Sequence, residues 1–117
     1  MTPYPGRAVR GSRSGRPIMV LLDLLGRRMA LRLLWELSLA ERPMTFRALQ
    51  AAAETNPSVL NGRLKELRAA GIVDHGDDGY RLSADGAALL TLVLPLHKWA
   101  DDWAAGREFS STTGESR

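Results

Sequence analysis

The chain has 117 residues, of which 44% are hydrophobic and 25% are charged, and its formal net charge is +3. This length and composition predict one globular domain with a modest core. The absence of cysteine excludes disulfides, thiolate metal sites and thiol-based redox switching. The most apolar run, residues 87–96, is shorter than the roughly 20 residues that cross a bilayer. With no signal-peptide pattern, a cytoplasmic protein without a membrane partner is expected.

The segment before Pro17 is basic and contains no acidic residue. Its arginines are Arg7, Arg10, Arg13 and Arg16, set among Gly, Pro and Ser. This composition predicts a disordered basic tail over residues 1–16. The tail is either an arm that binds phosphate or a solubilising tail or cloning remnant. Residues 106–117 are predicted to form a flexible C-terminal tail, which leaves residues 17–105 as the folded domain.

Between these tails the first predicted elements are three helices. IMVLLDLLG predicts a short apolar helix that ends at Gly26. RRMALRLLWELSLAE predicts a second helix, and Pro43 lies just beyond its end, where a helix cannot continue. Thr45 is then expected to cap the short Ala-rich helix FRALQAAAE.

The second half of the domain is predicted to hold two helices around a hairpin. Asn56 is expected to cap a helix that has Pro57 at its first position and stops at Gly71. Two short strands, residues 72–75 and 80–83, flank a Gly-Asp-Asp-Gly turn. Ser83 is expected to cap a long last helix, residues 84–105, with a kink at Pro95.

This order of elements is typical of a winged helix-turn-helix, a mainly α fold with a small β-hairpin. In that fold the capped helix, here about residues 57–70, lies in the DNA major groove. The hairpin, about residues 72–83, is then the wing. Leu60, Leu64 and Leu67 recur at steps of four and three, so they predict the buried side of the recognition helix.

Helical rotation from that buried stripe turns small and polar residues towards the duplex. Ser58, Gly62, Lys65 and Glu66 are predicted to face outward, with Asn61 and Arg63 on the flanks. Asn61 and Arg63 can hydrogen-bond base edges, whereas Ser58 and Lys65 suit phosphate. Gly62 costs roughly 1 kcal/mol against Ala in a helix, and it either admits close approach of the duplex or is simply tolerated. The predicted DNA-binding residues are Arg47, Asn56, Ser58, Asn61, Gly62, Arg63, Lys65 and Arg81.

The hairpin is acidic, which bears on DNA binding. Asp74, Asp77 and Asp78 cannot add affinity for phosphate, and Arg81 is its cation. The acidic residues are interpreted as a solvated turn, with a metal or functional role as the alternative. Arg81 alternates with apolar neighbours, so it is predicted to point outward and to reach a minor groove.

The last helix predicts self-association. Leu89, Leu92, Leu96, Trp99 and Trp103 are spaced by three, four, three and four residues, which is a heptad pattern. A helix that is apolar nearly all round exceeds what one small domain covers, so a homodimer is predicted. The alternative is that the core of one chain covers these residues.

Three segments resemble the HxlR-type winged helix transcription regulators, relatives of the MarR group. They are LLDLLGRRMALRLLWEL, FRALQAAAETNPSVLNGRLKELRAAGIVD and YRLSADGAALL, and residues 57–73 are the most specific part. The resemblance implies a bacterial homodimer that binds an operator through paired recognition helices, with the first and last helices in the dimer contact. The interface residues predicted on these two helices are Leu21, Leu22, Leu25, Leu89, Leu92, Leu96, Trp99 and Trp103.

The chain departs from that family in three places. Arg16 stands where a Cys often precedes the Pro that opens the first helix, so a thiol sensor is not available. Met29 stands where a Trp is usual, which changes local packing. The hairpin is shorter than is common, and it is acidic.

Sites for catalysis or cofactors find little support in the sequence. His97 and Asp101 are four residues apart on one helix and could share a metal, but a structural contact is the commoner outcome. The sequence contains no phosphate loop, nucleophile elbow or paired-carboxylate motif, so neither an enzyme nor a cofactor is expected. An effector pocket is an alternative to plain core for Met29, Trp35, Met44, Phe46, Trp99 and Trp103.

Two functions follow from these patterns. The first is a transcriptional regulator that binds double-stranded DNA sequence-specifically as a homodimer. The second is a winged-helix dimer that serves as a protein-interaction module with weak or non-specific DNA binding.

Overall fold

The computed structural model describes residues 15–107. The predicted C-terminal tail beyond residue 107 and the predicted basic tail up to residue 14 lie outside the described residues. The elements are α1 (Pro17–Leu25), α2 (Ala30–Leu39), α3 (Phe46–Ala53), α4 (Pro57–Ala69), β1 (Val73–Gly76), β2 (Gly79–Leu82) and α5 (Ala84–Arg107). This order confirms the predicted mainly α winged helix-turn-helix with one hairpin. The chain forms two compact units, which divide between Ala87 and Ala88.

The three predicted N-caps are confirmed by their hydrogen bonds. The Thr45 hydroxyl accepts from the Ala48 N–H at 3.1 Å at the start of α3. Asn56 Oδ1 accepts from the Val59 N–H at 2.8 Å at the start of α4, where Pro57 occupies the first turn. At α5, the Ser83 hydroxyl accepts from the Gly86 N–H at 3.0 Å. Each cap satisfies an N–H group that the helix itself leaves unpaired.

The turn between α1 and α2 differs in detail from the expected stop at Gly26. Gly26 follows α1 but keeps a right-handed conformation, with φ −78°. The left-handed residue of the turn is Met29, with φ 72°, directly before α2. A non-glycine residue in this conformation costs roughly 1–2 kcal/mol, so the turn is held by its surroundings.

The core of the first unit lies around α2. This helix buries Ala30, Leu33, Leu34 and Leu37 on one face, and it packs against α3 and β2. The predicted buried side of α4 is confirmed, because Leu60, Leu64 and Leu67 are all buried. Burying each such side chain contributes about 1.5–3 kcal/mol. The remaining buried apolar residues of this unit are Val20, Leu24, Leu49, Ala53, Ile72, Val73 and Tyr80.

The hairpin pairs β1 with β2 in antiparallel register, from Val73 opposite Leu82 to Gly76 opposite Gly79. The sequence did not indicate that a third segment joins it. Met44 forms an isolated bridge with Tyr80, whose N–H donates to the Met44 carbonyl at 2.7 Å, and the Met44 N–H donates back at 2.9 Å. The wing is thereby attached to the segment that leads into α3.

The second unit consists, in its described part, of the helical residues 88–107. The helix continues through Pro95. Large apolar side chains are exposed along it, among them Leu92 at 71% and Trp99 at 60%. The rings of Trp99 and Trp103 stack with centroids 5.7 Å apart. Across the described residues, none of the helices combines the length and apolar character that a bilayer span requires.

Candidate nucleic-acid interface

The exposed side of α4 is a polar stripe. Ser58, Asn61, Lys65 and Arg68 are exposed and recur at steps of three, four and three along the helix. They lie on the side of α4 away from its three buried leucines. We call these four residues the polar stripe. A rigid helix that presents hydroxyl, amide and cationic groups in one row can contact both base edges and phosphates.

The start of α4 adds a region favourable to anions. The helix N-terminus carries a partial positive charge, and the exposed Ser58 lies in its first turn. Asn56 is also exposed, but its side-chain oxygen is used by the cap to Val59. Only its amide nitrogen therefore remains to donate to a duplex.

Glu66 was predicted to face outward, and this is wrong. Its side chain is only 22% exposed and accepts a 2.8 Å hydrogen bond from Arg27 Nη1. Arg27 lies in the turn after α1 and also donates to Asp23 at 3.0 Å. Burial lowers the pKa of Arg27, but the hydrogen bonds and charges of Asp23 and Glu66 outweigh it and raise that pKa overall. The turn is thus fastened to the recognition helix by a fully charged guanidinium.

Arg63 lies beside the same carboxylate. Its Nε is 3.0 Å from Glu66 Oε1, and its Nη1 donates a long 3.4 Å hydrogen bond to the Arg28 carbonyl. The side chain is 22% exposed, so it is not part of the polar stripe. Its DNA contact stays a prediction, and such a contact requires the guanidinium to leave Glu66.

Gly62 is half-buried, and a Cβ built on it meets no atom within 4 Å. Packing within the described protein therefore does not require glycine at this position. The close approach of a duplex at Gly62 stays a prediction.

A cleft of about 630 Å³ lies between α4 and the hairpin. Three cations line it, Lys65 and Arg68 from the polar stripe and Arg81 from β2, together with Asp74 of β1. Asp74 and Arg81 are opposite one another in the strand register. The sequence interpretation missed Arg68, although its step of three from Lys65 places it on the same face of the helix.

Arg47 is exposed on α3 and lines a different cleft of about 390 Å³ with Gln50, Ala51 and Thr55. The structure therefore brings Lys65 and Arg81 together but leaves Arg47 outside their cleft. Whether Arg47 contacts a DNA backbone stays a prediction.

The tip of the hairpin carries the exposed Asp77 and Asp78. Next to it, the His75 ring stacks on Tyr80 with centroids 3.9 Å apart and planes 2° from parallel. Within residues 15–107 there is no group of three or more His, Asp or Glu side chains that could hold a metal ion. His97 and Asp101 approach to 3.5 Å on α5, and both are largely exposed.

The residues predicted for the dimer interface differ in exposure. On α1, Leu22 is 54% exposed, while Leu21 and Leu25 are half-buried. Ile18 and Met19 are exposed on α1 as well and were not predicted. On α5, Leu92, Leu96, Trp99 and Trp103 are exposed and Leu89 is half-buried.

Comparison with solved structures gives one close fold. The chain is similar to the quinone-bound YodB from B. subtilis, with a TM-score of 0.67 and 27% sequence identity over 73% of this chain and 96% of that one. No protein-family profile and no curated protein matches the chain. YodB is a winged-helix regulator of the MarR/HxlR-like kind, and this similarity supports the same superfamily for the present chain.

Proposed function

We propose that the protein is a bacterial, cytoplasmic transcriptional regulator of the HxlR type, which binds double-stranded DNA sequence-specifically as a homodimer. Residues 17–105 would form its folded domain between two tails. The observation that carries the proposal is the polar stripe on α4, a capped helix in a winged-helix fold shared with YodB. The stripe offers side chains for bases and phosphates on the helix that such folds insert into the major groove.

The proposed roles follow from side-chain chemistry and exposure. Asn61 is proposed to read a base edge, joined by Arg63 once it leaves Glu66. Ser58, Lys65 and the amide of Asn56 bind phosphate. Gly62 lets the duplex approach the helix closely.

Cations outside α4 add contacts to the backbone. Arg68 and Arg81, which line one cleft with Lys65, are proposed to follow the phosphates from the recognition helix to the wing. Arg47 is proposed to contact the backbone from α3. Each such contact adds affinity without adding sequence discrimination.

The homodimer is supported by the exposed apolar side chains of α5 and α1. Leu92, Leu96 and Trp99 are each at least 60% exposed, and Leu22 on α1 is more than half exposed. A second copy of the chain would remove these surfaces from water. Two-fold symmetry would then place paired recognition helices on half-sites about 34–36 Å apart.

The quinone of YodB does not carry over to this chain in covalent form. A thiolate is the side chain through which a protein most readily adds to such an electrophile, and this chain has no cysteine. The proposed function therefore includes no quinone adduct.

A protein-interaction module is the second candidate. Two observations favour it: the acidic residues Asp74, Asp77 and Asp78 on an exposed wing, and the engagement of Arg63 by Glu66. Both reduce the attraction of this face for phosphate. A partner with basic side chains would suit the wing.

The test is selection of duplexes from a random DNA pool, followed by fluorescence anisotropy on the selected and scrambled duplexes across a salt series. Asn61→Ala is expected to reduce discrimination between the two by about 1–3 kcal/mol. Lys65→Ala should weaken binding to both and lower the salt slope by about one. Lys98→Ala is the matched control, because Lys98 is the other lysine of the chain and pairs with Asp102 on α5. If no sequence is enriched, the protein-interaction module becomes the better proposal.

A further inference from the structure

Four alternating charges connect the turn after α1 to the recognition helix. Asp23 accepts from Arg27 at 3.0 Å, Arg27 donates to Glu66 at 2.8 Å, and Glu66 lies 3.0 Å from Arg63. All four side chains are between 18% and 25% exposed, so the cluster is only partly screened by water. One carboxylate, Glu66, is therefore shared by two guanidinium groups.

The two guanidinium groups hold Glu66 unequally. Arg27 Nη1 makes an aligned hydrogen bond to Glu66 Oε2. Arg63 Nε is close to Oε1, but neither atom has a hydrogen-bond partner, so this contact is an ion pair without hydrogen-bond alignment. Charge-assisted hydrogen bonds with good alignment are the stronger contacts. Arg63 is thus the more weakly held of the two.

This inequality determines what happens when Arg63 moves. A partly buried carboxylate that loses its sole cationic partner pays a large desolvation cost. Glu66 avoids that cost because Arg27 stays bound to it, and Asp23 keeps Arg27 in place. Arg63 can therefore exchange Glu66 for another acceptor at little cost to the fold.

We propose that Arg27 is a positioning residue for DNA recognition, which neutralises Glu66 and so makes Arg63 available to the duplex. The inference rests on the proposed function and adds a pair of residues, Arg27 and Glu66, that control one of its contacts. In the free protein Arg63 lies against Glu66 and the Arg28 carbonyl. On the duplex it exchanges these acceptors for DNA, and the Arg27–Glu66 hydrogen bond remains.

Removal of Arg27 then has a specific consequence. In Arg27→Met the aliphatic part of the side chain is retained, but Glu66 is left with Arg63 as its cation. Arg63 is held more tightly, and the ratio of affinities for the selected and scrambled duplexes should fall about threefold. Glu66→Gln acts in the opposite direction, because it removes the charge that competes for Arg63, and the ratio should rise about threefold.

The experiment measures this ratio by anisotropy for the full-length wild type, Arg27→Met, Glu66→Gln and the double variant. The expected result is that Glu66→Gln restores the ratio of Arg27→Met to the wild-type value or above. In an Arg63→Ala background, Arg27→Met should leave the ratio unchanged, because the side chain that it controls is absent. Arg32→Met is the matched control, since Arg32 pairs with Glu36 within α2 at 3.0 Å.

Rescue separates this role from a merely structural one. If Arg27 only braced α4, Glu66→Gln would lower the ratio as Arg27→Met does, and the double variant would be no better; that result overturns the inference. Thermal unfolding identifies any variant that fails to fold. Should Arg27→Met be one, Glu66→Gln decides alone, and a ratio equal to or below the wild type overturns the inference. Failure of the wild type to select any duplex refutes the proposed function instead.

Discussion

Substitution of Gly79 tests how tightly the wing is joined to the segment before α3. Gly79 has φ +131°, and a Cβ added to it would lie 2.5 Å from the Met44 carbonyl oxygen. Gly79→Ala therefore adds backbone strain of about 1–2 kcal/mol and displaces Met44 from its two hydrogen bonds with Tyr80. Each bond contributes about 0.5–1.5 kcal/mol, so the expected loss of unfolding free energy is about 3 kcal/mol.

Gly71→Ala is the matched control for this prediction. Gly71 also has a positive φ, +79°, but a Cβ added there meets no atom within 4 Å. Its loss should be the conformational strain alone, about 1 kcal/mol. Urea unfolding followed by circular dichroism measures both variants at one protein concentration. Equal losses would refute the reasoning, because they would show that the Met44 contact adds nothing to the backbone strain.

The remaining predictions concern a cap, a helix end and self-association. Asn56→Ala should lower the unfolding free energy by about 1 kcal/mol, whereas Asn56→Asp should keep the cap but weaken duplex binding in low-salt anisotropy; equal stability of both variants would contradict the role of the cap. Glu54→Gly should raise the urea midpoint by an amount equivalent to about 0.5–1 kcal/mol, because Glu54 ends α3 with φ 56°, and a lower midpoint would refute this. Trp99→Glu should shift sedimentation towards the monomer mass by placing a charge in an exposed apolar row, while an unchanged dimer mass would exclude this face.

The fold was predictable where its determinants are close together in the sequence. Thr45, Asn56 and Ser83 each bond an N–H three residues ahead, so the helix starts could be read from short stretches. The buried side of α4 followed from the spacing of its leucines in the same way. By contrast, the Met44 bridge to Tyr80 joins residues far apart in the chain and leaves no local pattern.

The candidate site was less predictable, for the same physical reason. Rotation about α4 alone placed Glu66 outward, but the face a charged residue occupies depends on its partner. Arg27 is 39 positions away, and its guanidinium draws Glu66 into the turn after α1. Arg68 was missed although its position on the helix was readable, because attention rested on the first turns of the recognition helix.

The stacked pair on α5 also gives the protein an optical reporter. Trp99 and Trp103 lie face to face at 5.7 Å, close enough for their electronic transitions to couple. Such coupling produces paired bands of opposite sign in near-ultraviolet circular dichroism, and it changes when either ring turns or is covered. The condition of this exposed helix face can thus be followed spectroscopically in the unlabelled chain, during DNA titration as well as dilution.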